Sequence, residues 1–166
     1  VPRALGNRHP SIAPYEVVRA KDRPLVLAVG NDRQFAALCD ELGVGHLATD
    51  PRFASNASRV EHREELVALL EEALATAAAD RWVSRLAARG VPCGTVNGID
   101  EAVELAARLG LEPVVDVGDG HGRVSRQARH PVWFSATPAS YRHAPPTWDQ
   151  VERIEDVLGL LPPPDG

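Results

Sequence analysis

Leu25-Val26-Leu27-Ala28-Val29-Gly30-Asn31-Asp32-Arg33-Gln34-Phe35 is the stretch in which the chain changes from a strand pattern to a helix pattern. Its first five residues form a continuous apolar run, which is typical of a strand buried on both faces. Asn31 and Asp32 have side chains that cap helix N-termini by accepting backbone N–H bonds. Apolar residues then recur with helical spacing, which predicts a helix that stops at Gly43. The apolar residues with this spacing are Phe35, Leu38, Cys39 and Leu42.

The residues around this stretch predict an α+β fold, in which a small antiparallel sheet packs with helices. Tyr15–Arg19 has strand composition, and residues 21–24 form the turn of a hairpin that returns through Leu25–Val29. Ser58-x-x-Glu61 is a capping-box pattern before a long helix, on which Arg63 is expected to face water or a partner. Asp80 is expected to cap the helix that follows.

The second half of the chain continues with shorter elements. Pro92 keeps residues 91–97 from being a central strand throughout, although the segment is extended in character. The remaining predictions are a helix from Asp100 to Gly110, a hairpin over 114–127, a strand Pro131–Ser135 and a last amphipathic helix from Val151 to Leu161.

Composition excludes several classes of function. The net charge of −5 and pI of about 5.7 give no basis for binding nucleic acid or an anionic membrane. The 2 cysteines form no spaced motif and favour a reducing cytoplasm. The 6 histidines lack metal-ligand spacing, and the chain has no phosphate-binding or nucleophile-elbow motif. No methionine is present, and the chain begins at Val1, so a processed or trimmed piece of a longer protein is expected.

Residues 6–14 form a polar loop with two alternative interpretations. Gly6, Asn7 and two prolines indicate irregular structure, and Arg8 and His9 lie among them. The loop is either a solvated connector or a cover over a ligand, and the spacing alone does not separate these.

Several motifs together resemble the family III CoA-transferases, the group that includes formyl-CoA transferase, carnitine CoA-transferases and α-methylacyl-CoA racemase. The motifs follow one another along nearly the whole chain at natural spacing. They are Gly6-Asn7-x-His9-Pro10-x-Ile12-Ala13-Pro14-Tyr15, Leu27-Ala28-Val29-Gly30-Asn31-Asp32-x-Gln34-Phe35, Asp50-Pro51-Arg52-Phe53-x-x-Asn56-x-x-Arg59, Gly90-Val91-Pro92-Cys93-Gly94-x-Val96 and Ala144-Pro145.

The resemblance implies how the chain is organised. Residues 1–14 are an active-site-type loop and linker, 15–96 the small domain, and 97–166 a segment that returns to a nucleotide-fold large domain. It also implies a cytoplasmic homodimer whose substrates are an acyl-CoA and a carboxylic acid, with no bound cofactor or metal, nucleic acid or membrane. CoA moves through an aspartyl intermediate whose aspartate is not in this chain. No catalytic residue is therefore assigned here, and the chain alone is predicted to be inactive.

The substrate-binding residues implied by the resemblance are Gly6, Asn7, Arg8, His9, Asn31 and Asp32. The loop matches the glycine-rich loop that closes over the active site in formyl-CoA transferase, with Arg8-His9-Pro10 where that enzyme has glycines. As a cover it is expected to be loosely held, with Arg8 meeting an anionic substrate group and His9 supplying a donor beside it. Asn31 and Asp32 lie near the turn where the racemases place an assisting carboxylate, and helix capping is the alternative.

Two alternative functions stay open at this point. The chain could be a non-catalytic binding or assembly subunit that keeps the small-domain fold. It could also be part of a racemase-like enzyme, because the residues that distinguish racemase from transferase lie largely outside it.

Overall fold

The computed structural model describes residues 6–118 and 122–145. The chain divides into two compact units, Val1–Asn97 and Gly98–Gly166. This division lies one residue beyond residue 96, where the resemblance places the end of the small domain. Small antiparallel sheets and helices make up the described part, so the predicted α+β class is confirmed.

A three-stranded antiparallel sheet forms the centre of the first unit. Its strands are β1 (Tyr15–Arg19), β2 (Pro24–Ala28) and β3 (Cys93–Thr95), in the order β1-β2-β3. The predicted hairpin is confirmed, and Val17 lies opposite Val26. The prediction that β2 is buried on both faces is wrong, because Leu25 and Leu27 are fully buried whereas Val26 is only half-buried. The alternation shows that the sheet has one covered face, as antiparallel sheets commonly do.

The described part of the first unit also contains four helices, α1 (Asp32–Glu41), α2 (Asn56–Glu61), α3 (Arg63–Leu74) and α4 (Ala79–Ala88), with a short 3₁₀ turn at Gly45–Ala48. The helix predicted from the opening stretch is α1, and Gly43 ends it with a φ of 75°, in the left-handed region that favours glycine. Apolar side chains from the strands and helices meet in one core. Its fully buried members include Val18, Leu25, Leu27, Leu38, Phe53, Leu66, Leu70, Leu74 and Leu86.

Three local predictions for these helices are wrong. The side chain of Ser55, not Ser58, caps α2, and the chain breaks at His62 before α3 begins. Arg63 is buried within the unit instead of facing water or a partner. The first amide of α4, at Ala79, donates to Asp22 in the β1–β2 turn at 2.8 Å. The cap of α4 therefore comes from the hairpin and not from Asp80.

The second unit contains α5 (Ile99–Arg108) and an antiparallel hairpin of β4 (Val114–Gly118) and β5 (Val124–Ala128). The helix and the hairpin are both as predicted. Pro131–Ser135 is irregular, so the strand predicted there is wrong. A strand needs a partner, and none of the described strands pairs with this segment. The predicted last helix lies outside the described residues.

No helix in the described part of the chain is long and apolar enough to cross a membrane.

Candidate functional site

The polar loop begins along the open edge of β1 and is anchored to that strand. The amide of Val17 donates to the Asn7 side chain at 2.8 Å, and the amide of His9 donates to the Tyr15 carbonyl at 3.0 Å. The His9 ring also stacks on the Tyr15 ring, with 5.2 Å between the ring centroids. The start of the loop therefore satisfies backbone groups that an edge strand would otherwise leave open.

Two side chains from the helical half of the unit hold the rest of the loop. Asn56 donates to the Ser11 carbonyl at 2.8 Å and accepts from the Ala13 amide at 3.2 Å. Arg63 donates to the carbonyls of His9 and Ile12, at 2.7 Å and 3.0 Å. The expectation of a loosely held loop is wrong, because backbone groups along its length are paired with β1, α2 and α3.

Arg8 lies between two carboxylates that differ in their surroundings. Its Nε lies 3.0 Å from Glu16, whose side chain is 2% exposed and also accepts from Arg63 at 3.0 Å. Its two terminal nitrogens donate to the two oxygens of Glu64, a side chain that is 78% exposed. Hydrogen bonding to Glu64 raises the pKa of Arg8 and lowers the pKa of Glu64. The guanidinium is thus paired at its inner end with a buried carboxylate and at its outer end with a surface carboxylate.

A cavity of about 550 Å³ opens beside this arginine. Its walls come from the loop and from the junction of α2 and α3. They are formed by Arg8, Pro10, Val60, Glu61, His62, Arg63, Glu64 and Glu65.

Arg59 joins the end of the loop to the N-terminus of α1. The side chain is fully buried and donates to the carbonyls of Ala13 and Phe53, at 2.8 Å and 2.9 Å. Its remaining terminal nitrogen donates to the Asp32 carboxylate at 2.7 Å, and its guanidinium carbon lies 4.4 Å from the centre of the Phe35 ring. One buried cation therefore sets the relative positions of three segments that are distant in sequence.

Asn31 and Asp32 have different roles at the start of α1. The Asn31 side chain accepts from the Gln34 amide at 2.9 Å, so this residue is the helix cap. The Gln34 side chain accepts in return from the Gly30 amide at 2.8 Å. Asp32 gives one oxygen to Arg59, and its side chain is 67% exposed. The capping alternative therefore holds for Asn31, while Asp32 presents a carboxylate at the surface.

The structure brings the sequence-predicted residues into two groups on one scaffold. Asn7, Arg8 and His9 lie along β1 and beside α3, whereas Asp32 lies at the other end of the loop, joined to it through Arg59 and Ala13. Gly6 begins the loop with a φ of 65°, a conformation that favours glycine.

Sequence reasoning missed the two buried arginines that organise the loop. Arg59 and Arg63 lie four residues apart, and they continue the buried face of α3 made by Leu66, Leu70 and Leu74. This i, i+4, i+7 spacing could have indicated that the arginines face inward. Arginine is seldom buried without partners, and apart from the Phe53 carbonyl, which is 6 residues from Arg59, those partners are distant in sequence.

Neither cysteine has the surroundings of a nucleophile. Burial raises the pKa of Cys39 to about 12 and also raises the pKa of Cys93, so both thiols are held in the protonated form. Within residues 6–118 and 122–145, no group of histidine, cysteine and acidic side chains could hold a metal ion.

Comparison with known proteins gives a consistent result. The model of CoA-transferase family III matches residues 1–151. An acyl-CoA transferase of Fusarium pseudograminearum is 40% identical over 156 residues, covering 92% of this chain and 34% of that protein. A succinate–glutarate CoA-transferase of Agrobacterium fabrum is 38% identical over 148 residues, covering 87% and 36%. The crystal structure of a CAIB/BAIF family protein from Brucella suis superposes with a TM-score of 0.75 at 34% identity, covering 90% and 38%.

The chain spans about a third of the length of these relatives, between 34% and 38%.

Proposed function

The chain belongs to CoA-transferase family III, and we propose that it is part of an enzyme that moves coenzyme A from an acyl-CoA to a carboxylic acid. The observation that carries this proposal is the match to the family over residues 1–151. The fold likeness to the Brucella suis protein over 90% of the chain is consistent with it.

The proposed reaction passes through an aspartate carboxylate. This carboxylate attacks the carbonyl carbon of the acyl-CoA and expels the CoA thiolate, which leaves a mixed anhydride. The thiolate then attacks the aspartyl carbonyl, which releases the donor acid and leaves a CoA thioester on the aspartate. The acceptor carboxylate then attacks this thioester and expels the CoA thiolate, which leaves a second mixed anhydride. The thiolate attacks the acceptor carbonyl of that anhydride, which forms the new acyl-CoA and regenerates the aspartate. We assign this aspartate to no residue of the 166-residue chain, so the chain alone is expected to transfer no CoA.

We propose that the acceptor is a short dicarboxylic acid and that the loop helps to bind it. The name of the Agrobacterium fabrum relative supports this class of acid for that protein. In this chain, Arg8 offers a two-donor fork of the kind that binds carboxylates, and it is fixed in direction by Glu16. Gly6, Asn7 and His9 belong to the proposed site as the residues that hold the loop next to Arg8: Asn7 accepts from the Val17 amide, the His9 ring stacks on Tyr15, and Gly6 begins the loop. The contacts of the loop with β1, α2 and α3 make it a preformed wall and not a swinging cover.

Asn31 and Asp32 belong to the proposed site at the other end of the loop. Asp32 is the member with an exposed carboxylate, whereas the Asn31 side chain is used by the helix cap. Arg59 would hold the Asp32 carboxylate in position.

We further propose that residues 97–166 return to a nucleotide-fold large domain and that the enzyme is a cytoplasmic homodimer. Several large apolar side chains of this segment are exposed, among them Trp133 at 78% and Phe134 at 48%. Contiguous apolar surface of this kind commonly marks an interface between proteins or domains.

The test compares the chain with an enzyme in which it is joined to the aspartate-bearing part. Acetyl-CoA and succinyl-CoA serve as donors, short dicarboxylic acids as acceptors, and hydroxylamine traps the enzyme thioester. We expect transfer by the joined enzyme and none by the chain alone. Transfer by the chain itself would contradict the location of the aspartate, and no transfer by the joined enzyme would contradict the function. If Arg8→Ala leaves the KM for the acid unchanged, the loop does not belong to the acid-binding site.

A further inference from the structure

The loop arginine makes two ion pairs that differ in how easily they can be exchanged. Glu16 is 2% exposed in its side chain and is shared by Arg8 and Arg63, so its release would leave a buried charge. Glu64 is 78% exposed and lies in the first turn of α3, where water can solvate its carboxylate. Exposed ion pairs contribute little to stability, and their partners separate readily. Only the outer partner of Arg8 can therefore be exchanged at low cost.

The geometry of the outer pair is that of ligand recognition. Both terminal nitrogens of Arg8 donate to the two separate oxygens of Glu64, one of them at 3.2 Å. This two-point arrangement is how a guanidinium binds a free carboxylate. Glu64 thus occupies the position that a bound acid would take, at the wall of the 550 Å³ cavity.

Release of Glu64 would leave the loop in place. The loop is held by Asn7, His9, Asn56 and Arg63, and none of these contacts uses Glu64. The Nε of Arg8 would stay on Glu16, so the fork keeps its direction when its outer partner changes.

We propose that Glu64 is a specificity-determining residue that competes with the carboxylate of the acid substrate for Arg8. The acid displaces Glu64 from the two terminal nitrogens, and Glu64 takes them back when the acid leaves. An acid that binds weakly would not displace Glu64 from Arg8. An acid whose single carboxylate is bound by another part of the site would not displace it either. The identity of the ligand as a carboxylic acid rests on the proposed function, whereas the exchange itself rests on the geometry of Arg8, Glu16 and Glu64.

The experiment measures binding and not transfer. Succinate is titrated at constant ionic strength into the ¹⁵N-labelled 166-residue chain, and NMR follows the Arg8 Nε–H and the backbone amides of residues 7–9. In Glu64→Gln the succinate Kd should fall about two- to fivefold, the size expected for losing an exposed competing pair. Arg8→Lys should lose the succinate response of the backbone amides of residues 7–9, because an ammonium lacks the planar fork.

Glu72→Gln is the matched control, because it removes the same charge from the same helix. Eight residues from Glu64, its charge lies roughly 12 Å along the helix and is largely screened at physiological salt. It should bind succinate as the unmodified chain does. Equal tightening in Glu72→Gln would show a general charge effect and would overturn the proposal.

Other outcomes also decide against the inference. Weaker binding by Glu64→Gln would show that Glu64 only braces the loop, and no response to succinate in any variant would show that Arg8 binds no acid. Adenosine 3′,5′-bisphosphate is the second probe, and a stronger response to it than to succinate would assign the fork to a phosphate of CoA. If the joined enzyme shows no transfer activity, the proposed function fails, but a measured exchange of Glu64 for succinate on Arg8 would still stand. The proposed function and the role of Glu64 can therefore fail separately.

Discussion

Replacing the buried Arg59 by alanine is the perturbation that most directly tests how the loop is held. In Arg59→Ala the Ala13 and Phe53 carbonyls lose their donor inside the protein, where water does not replace it. The Asp32 carboxylate also loses its partner, but its side chain is 67% exposed and can be solvated. The guanidinium also leaves the face of Phe35, which removes a packed contact.

The expected loss of stability follows from these contacts. Each buried carbonyl left without a partner costs about 1–3 kcal/mol, so the Ala13 and Phe53 carbonyls together cost about 2–6 kcal/mol. The Asp32 pair adds little because water screens it. We therefore expect Arg59→Ala to lower the free energy of unfolding of the first unit by about 2–6 kcal/mol, a large fraction of the roughly 5–15 kcal/mol typical of a domain.

Arg85→Ala is a matched control for the same kinds of contact at the surface. Arg85 donates to the Glu41 carboxylate at 2.5 Å and to the Glu41 carbonyl at 3.2 Å, and it lies 4.6 Å from the centre of the Trp82 ring. Its side chain is 42% exposed. Its replacement should cost less than about 1 kcal/mol, because water can satisfy the groups that it leaves.

Amide hydrogen exchange is the assay of choice, because it reports the opening of the first unit separately from the second. The core amides of Leu38 and Leu70 should lose protection in Arg59→Ala by the expected free energy and stay nearly unchanged in Arg85→Ala. Costs for the two variants that agree within about 1 kcal/mol would refute the reasoning that burial determines the effect of the arginine.

Two further predictions concern the cap of α4 and the exposed aromatic residues. Asp22→Ala should lower the Tm more than Asp80→Ala does, because Asp22 accepts the first amide of the helix; equal effects in thermal denaturation would contradict this. The bond to Ala79 lowers the pKa of Asp22, so its stabilisation should be present at neutral pH and be lost as the pH falls through that lowered pKa. Trp133→Ser with Phe134→Ser should reduce self-association of the chain in sedimentation velocity; a concentration-independent monomer before mutation would speak against an interface there.

Local sequence patterns determined those strands and helices that depend on interactions between residues close together in the chain. The apolar run and the following cap-and-period pattern produced β2 and α1, because strand and helix formation there depend on neighbouring residues. Asn31 was a capping candidate for the same reason, since its acceptor and the Gln34 amide are three residues apart. The family and its motifs were also recognisable from residue identities alone.

The tertiary structure alone decided where the charged residues lie. The periodic pattern can indicate that Arg59 faces inward, but it cannot identify the acceptors that make burial possible, because the Ala13 carbonyl lies 46 residues away. Asp22 caps α4 across 57 residues for a similar reason, whereas Asp80 had the local pattern of a cap. The direction of Arg8 depends on Glu16 and Glu64, which belong to a strand and a helix. The energy of a charge depends on solvent and on partners in space, and both are set only when distant segments pack together.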